Sequence, residues 1–88
     1  MIFTAKVVIK LRESILDPQG KTVENSLKSI GFSAILETRI GKYIELKIDA
    51  ENEEDARILI ENACVKLLAN PVMENYSYSL EKSEKELV

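Results

Sequence analysis

Histidine and tryptophan are absent from these 88 residues, and cysteine occurs once. Without histidine there is no Ser-His or Cys-His pair, and the commonest general base and metal ligand are missing. A lone cysteine closes no internal disulfide and builds no CxxC metal site, which fits a reducing compartment. The three glycines form neither a GxGxxG pattern nor a P-loop. Long apolar runs are also lacking, since lysines interrupt the stretch from Ala5 to Ile9 and its extension. Neither a membrane span nor a secretory leader is therefore expected, and the expected location is cytoplasmic. A net charge of -3 with a pI of about 5.0 lacks the basic balance that phosphate neutralisation requires, so no nucleic-acid partner is expected.

What is present describes one small domain. Hydrophobic residues make up 45% of the chain and charged residues 31%. A domain of this size buries only about 60% of the surface its unfolded chain exposes, so it gains from a partner. Residues 1–82 are expected to form the domain and 83–88 a polar C-terminal tail, with fraying expected from Glu81 onward.

The stretch Thr38-Arg39-Ile40-Gly41-Lys42-Tyr43-Ile44-Glu45-Leu46 reads as a β-hairpin, because Gly41 can supply the positive φ of a tight turn between strand-like flanks. Ahead of it, Phe3, Ala5, Val7, Ile9 and Leu11 alternate with polar residues as a half-buried first strand. Asp17 as N-cap and Pro18 at the first helical position then open a helix. Gly20, Val23, Leu27 and Ile30 give it an apolar stripe, and Gly31 ends it. Gly20 inside a helical turn has either a packing reason, against the sheet, or a functional one, admitting a partner or ligand at the helix N-terminus.

The second strand is expected over 34–40 and the third over 43–49. A two-residue loop leaves apolar side chains on both faces of the hairpin, whereas a three-residue loop gathers the aliphatics on one. Asn52 caps a second helix reaching about Leu68, with Glu53, Glu54 and Asp55 suited to its positive end. Ala56, Leu59, Ile60, Ala63, Cys64, Leu67 and Leu68 form its apolar face. Asn70-Pro71 stops it, and a fourth strand runs from Val72 to Leu80. The order βαββαβ is a ferredoxin-like α+β fold: a four-stranded antiparallel sheet with two helices on one face, strands 1 and 3 central.

Catalytic equipment is not evident. Glu53, Glu54 and Asp55 point in different directions around a helix, and Cys64 reads as a small buried hydrophobe. One tyrosine on the open sheet face is a poor RNA platform. The hairpin tip brings Arg39, Lys42 and Tyr43 together, either as solvated turn residues or as a docking contact for a partner protein.

Three segments, Leu16-Asp17-Pro18-Gln19-Gly20, then Arg39-Ile40-Gly41-Lys42-Tyr43-Ile44-Glu45-Leu46, then Leu67-Leu68-Ala69-Asn70-Pro71-Val72-Met73-Glu74-Asn75-Tyr76, resemble the PurS subunit family of phosphoribosylformylglycinamidine synthase in order and spacing. The resemblance implies a non-catalytic accessory subunit of a glutamine-dependent, ATP-consuming C–N ligase of purine biosynthesis. It implies a dimer or dimer of dimers that bridges a PurL-type synthetase and a PurQ-type glutaminase and assists ammonia transfer. ATP and magnesium then belong to the synthetase, with no cofactor or metal in this chain. The partner-contact candidates carried over are Arg39, Gly41, Lys42 and Tyr43, with Asp17, Gln19 and Asn70 beside them. A ligand-sensing module of the ACT type shares the topology and is the alternative.

Overall fold

The computed structural model describes residues 1–83. Its elements are β1 (Ile2–Leu11), α1 (Pro18–Ser29), β2 (Lys42–Asp49), α2 (Glu53–Ala63) with a π-helical turn at Cys64–Leu68, and β3 (Glu74–Lys82). The fold is α+β, and the sheet is three-stranded and antiparallel in the order β2-β1-β3.

The alternation of β1 decides the layers. Ala5 lies opposite Leu46 and Leu80, and Val7 opposite Ile44 and Tyr78. Phe3, Ala5, Val7 and Ile9 are buried on that face, where α2 lays down Ala56, Ile60 and Cys64. The opposite face is wet: Lys47 donates to the Thr4 hydroxyl at 2.7 Å, and Lys6 pairs with Glu81 at 3.1 Å. On β2, Ile44, Leu46 and Ile48 share the covered face while Tyr43, Glu45 and Lys47 point out, and neither of the two expected hairpin registers is formed.

Both helix starts are as expected: Asp17 accepts from the Gly20 N–H, and Asn52 accepts from the Asp55 N–H. Gly31, with φ of 104°, follows α1 as the residue that leaves the helical turn. The π turn comes from an Ala69 N–H to Cys64 carbonyl bond at 2.9 Å, just before Asn70-Pro71.

Five expectations are corrected. Residues 34–40 are not a strand, and no hairpin joins them to β2. Their amides at Thr38 and Ile40 are taken by side-chain carboxylates of Glu24 and Asp17 instead of a neighbouring strand. β2, expected as a central strand, is consequently an edge. Of the two described helices, α2 with its π-helical turn contributes to the core under the sheet and α1 does not, and Val23 and Ile30 are exposed. Leu59 and Leu67, assigned to the apolar face of α2, are also exposed. Glu81 and Lys82 pair with Thr4 and Phe3 and do not fray, because β1 offers them a free edge; 84–88 of the expected tail lie outside the described residues.

The shape follows from where α1 goes. A ten-residue strand of about 33 Å and a twelve-residue helix of about 18 Å, laid end to end, account for the long axis. The extents are 50 × 29 × 18 Å, and the radius of gyration is 16.8 Å. A compact chain of this length has a radius of gyration of about 12 Å. Residues 12–40 thus form an arm extending from one end of the sheet.

Replacing the fully buried Ile60 by alanine is expected to lower the unfolding free energy by about 2–5 kcal/mol in urea titration. The same change at Ile58, exposed on the outer face of α2, is expected to stay within about 0.5 kcal/mol.

Candidate functional site

At the end of the sheet from which the arm departs, the connections 12–17, 38–41 and 69–73 converge. Asp17 stands at this junction with only 7% of its surface exposed. Its Oδ1 accepts the Gly20 N–H at 3.0 Å and its Oδ2 accepts the Ile40 N–H at 2.7 Å. Glu24 lies seven residues on, two turns along the same face of α1. Its Oε1 accepts the Thr38 N–H at 3.1 Å, and its Oε2 meets Lys21 Nζ at 2.9 Å and Lys28 Nζ at 3.5 Å. The two carboxylates therefore clasp the extended segment 38–40 against the helix.

Hydrogen bonding holds both groups in the charged form despite burial. The Gly20 N–H, then that of Ile40, lowers the pKa of Asp17. Lys21, then the Thr38 N–H, lowers that of Glu24. Gly20 is required because a Cβ there would collide with the Asp17 carboxylate and come within 2.5 Å of the Thr38 carbonyl oxygen. Its reason is packing, but against the clasped segment and not the sheet. Gly41 is not in the left-handed region; a Cβ there would lie 2.6 Å from the Ile9 carbonyl oxygen. The Thr38 hydroxyl is buried with no hydrogen-bond partner among the described residues.

Arg39, only 26% exposed in its side chain, donates from its guanidinium to the carbonyls of Arg12 at 3.1 Å and Ile15 at 3.0 Å. Arg12 in turn donates to the carbonyls of Val72 and Pro71 at 3.2 and 2.7 Å. Asn70 shapes the third connection: its side chain accepts the Val72 N–H, while its own N–H donates to Glu74, which faces Lys42 at 3.8 Å.

The residues singled out from sequence are thus partly brought together. Asp17, Gln19, Gly41 and Lys42 line one cleft of about 180 Å³, and Asp17 and Arg39 share a neighbouring cleft of about 290 Å³ with Leu16 and Leu36. Tyr43 points to the wet face of the sheet, where its hydroxyl donates to Glu45. Arg39 is not part of a solvated hairpin tip. Glu24 and Arg12 were not singled out from the sequence, although lysines three residues before Glu24 and four after it were an available signal.

The chemistry of this junction is adhesive. Its carboxylates are fully engaged by backbone donors and lysines, and its arginines by carbonyls. Among the described residues no cluster of three histidine, cysteine, aspartate or glutamate side chains is placed to hold a metal ion. Cys64 is buried in the core, and burial pushes its thiol pKa up. Tyr76, donating to Glu61 at 2.6 Å, has its pKa pushed up to about 12 and acts as a tie between β3 and α2. No described helix is long and apolar enough to cross a membrane.

The fold and junction define a small α+β assembly module whose amphipathic arm is held away from its own core. Residues 4–82 match the family model PurS, phosphoribosylformylglycinamidine (FGAM) synthase, and the chain belongs to this family. It is 42% identical over 81 residues to the phosphoribosylformylglycinamidine synthase subunit PurS of Bacillus subtilis, covering 92% of this chain and 95% of that one. PurS from Methanocaldococcus jannaschii, described as one of the subunits of formylglycinamide ribonucleotide amidotransferase in the purine biosynthetic pathway, superposes with a TM-score of 0.83 at 40% identity, over 93% of this chain and 99% of that one. A chain in the structure of PurLQS from Thermotoga maritima superposes with a TM-score of 0.86 at 33% identity, over 92% and 99%. These likenesses favour a synthase subunit over an ACT-type sensor.

Acid should loosen the arm. Both carboxylates have folded-state pKa values below their ordinary 3.8 and 4.5, so their contribution is complete above those values and is lost as pH falls through the lowered ones. Urea midpoints are expected to drop between pH 5 and pH 3. Asp17→Asn should give a lower midpoint at pH 7 and a flatter acid limb, with faster tryptic cleavage at Lys28.

Proposed function

We propose that this chain is an accessory subunit of a phosphoribosylformylglycinamidine synthase, joining a PurQ-type glutaminase to a PurL-type synthetase in the cytoplasm and helping ammonia pass between them. The chemistry, with its ATP and magnesium, belongs to the synthetase. The observation that carries this reading is an amphipathic helix held off its own core, which fits a chain that is finished by association.

A three-stranded sheet is about 14 Å wide, and one helix covers about 10 Å of it. α2 takes one part of the apolar face, and Ile44 and Leu46 on the β2 side stay half-buried. Val23, Leu27 and Ile30 from the α1 of a second copy match that uncovered strip in length and chemistry. The accompanying segment 34–40 then lies along the free edge of β2 as a fourth strand. Reciprocal exchange about a two-fold axis gives each half of the dimer the four-stranded ferredoxin-like sheet with two helices on one face. Each aliphatic side chain buried this way contributes about 1.5–3 kcal/mol, and symmetry counts it twice. Exposed Ile58, Val65 and Leu67 on the other side of α2 leave surface for a dimer of dimers.

The candidate contacts divide by role. Asp17, Gly41 and Arg39 set the arm, whereas Gln19, Lys42, Tyr43 and Asn70 are exposed and available to companion subunits.

Co-expression with the synthetase and glutaminase should yield a single complex on size exclusion, with glutamine-dependent activity that falls when this chain is omitted. Ammonia-dependent activity should persist. Val23→Asp with Leu27→Asp is expected to give a folded monomer that no longer joins the complex. Unchanged glutamine-dependent activity in its absence would overturn the assignment.

A further inference from the structure

Arg12 stands between the arm and the loop that follows α2. Its backbone N–H donates to the Met73 carbonyl at 2.9 Å, and its guanidinium donates to the carbonyls of Val72 at 3.2 Å and Pro71 at 2.7 Å. Three successive carbonyls of the loop are thus held by one residue. On the other side, the Arg12 carbonyl accepts from the Ile15 N–H at 2.9 Å and from the guanidinium of Arg39, which sits in the clasped segment of the arm and also donates to the Ile15 carbonyl. Its other bonds are local, from the Val72 N–H to the Asn70 side chain, from the Met73 and Glu74 N–H groups to the Asn70 carbonyl, and from the Asn70 N–H to the Glu74 carboxylate. It exposes Val72 and Met73.

We infer that Arg12 is a positioning residue that makes the shape of the 70–73 loop depend on the seating of the arm. Arg39 is fixed by its neighbours Thr38 and Ile40, whose amides the clasp holds. Arg39 braces the Arg12–Ile15 turn through both of its carbonyls, and with it the frame from which the Arg12 guanidinium reaches Pro71 and Val72.

Amide hydrogen exchange at Met73 and Glu74, followed by NMR in the full chain, tests the relay. Arg39→Ala should speed exchange at both amides about tenfold, the effect of losing one charge-assisted bond, while the core amides of Val7 and Ile9 keep their rates. Arg12→Ala should do the same, the double variant should be no faster than Arg12→Ala, and Arg39→Lys should recover part of the protection. Arg39→Gln, which retains a donor, serves if the alanine variant fails to fold. Wild-type exchange at Met73 and Glu74 in the folded Arg39 variants, or multiplicative effects in the double variant, would overturn the inference. Sizing the same samples separates the two readings: a dimer with an unresponsive loop sinks the relay alone, and a monomer with a responsive loop sinks the arm exchange alone.

Discussion

Two buried carboxylates binding three backbone N–H groups hold the arm in shape. Asp17 and Glu24 lie two helical turns apart, and between them they take the amides of Gly20, Thr38 and Ile40. A buried amide left without a partner is costly, and these donors would otherwise seek a neighbouring strand. The carboxylates thereby set which way the chain leaves β1 and returns to β2. Gly20 is there because the clasped segment passes too close for any side chain, which makes the glycine part of the clasp and not of a ligand site.

This local choice has a global effect. Once segment 38–40 is bound to α1, the helix and its return segment travel as one body off the end of the sheet, and the apolar stripe of the helix faces water. The core beneath α2 remains well built, with Val7, Ile9 and Ile60 fully buried. A well-built core under α2 and an exposed amphipathic helix thus occur in the same chain, which is the arrangement that the proposed arm exchange would complete.

Most elements were legible from sequence because their signals are local. Alternation in β1, the caps at Asp17 and Asn52, the exit at Gly31 and the stop at Asn70-Pro71 depend on residues within a few positions of one another. Residues 34–40 were not legible: Ile35, Leu36, Thr38 and Ile40 suit a strand, but a strand exists only if a neighbouring edge takes its hydrogen bonds, and here helix carboxylates do. The junction was half legible. Asp17, Gln19, Gly41 and Lys42 were marked and do converge, whereas Glu24 looked like an ordinary solvated charge because its target amide lies 14 residues away. Arg12 looked uninformative because its work is done on carbonyls, which every residue carries. The resemblance to PurS supplied what periodicity did not, namely the kind of complex to which such an arm belongs.

The most direct measurement of the central claim is a crosslink between two different chains. In a Cys64→Ser background, one preparation carries Leu27→Cys on the arm and another carries Leu46→Cys on the sheet. After mixing, subunit exchange and mild oxidation, arm exchange predicts a disulfide-linked heterodimer and little crosslinking of either preparation alone. A Leu27→Cys preparation that crosslinks to itself as readily, or a mixture that stays uncrosslinked while dimeric, would contradict the account.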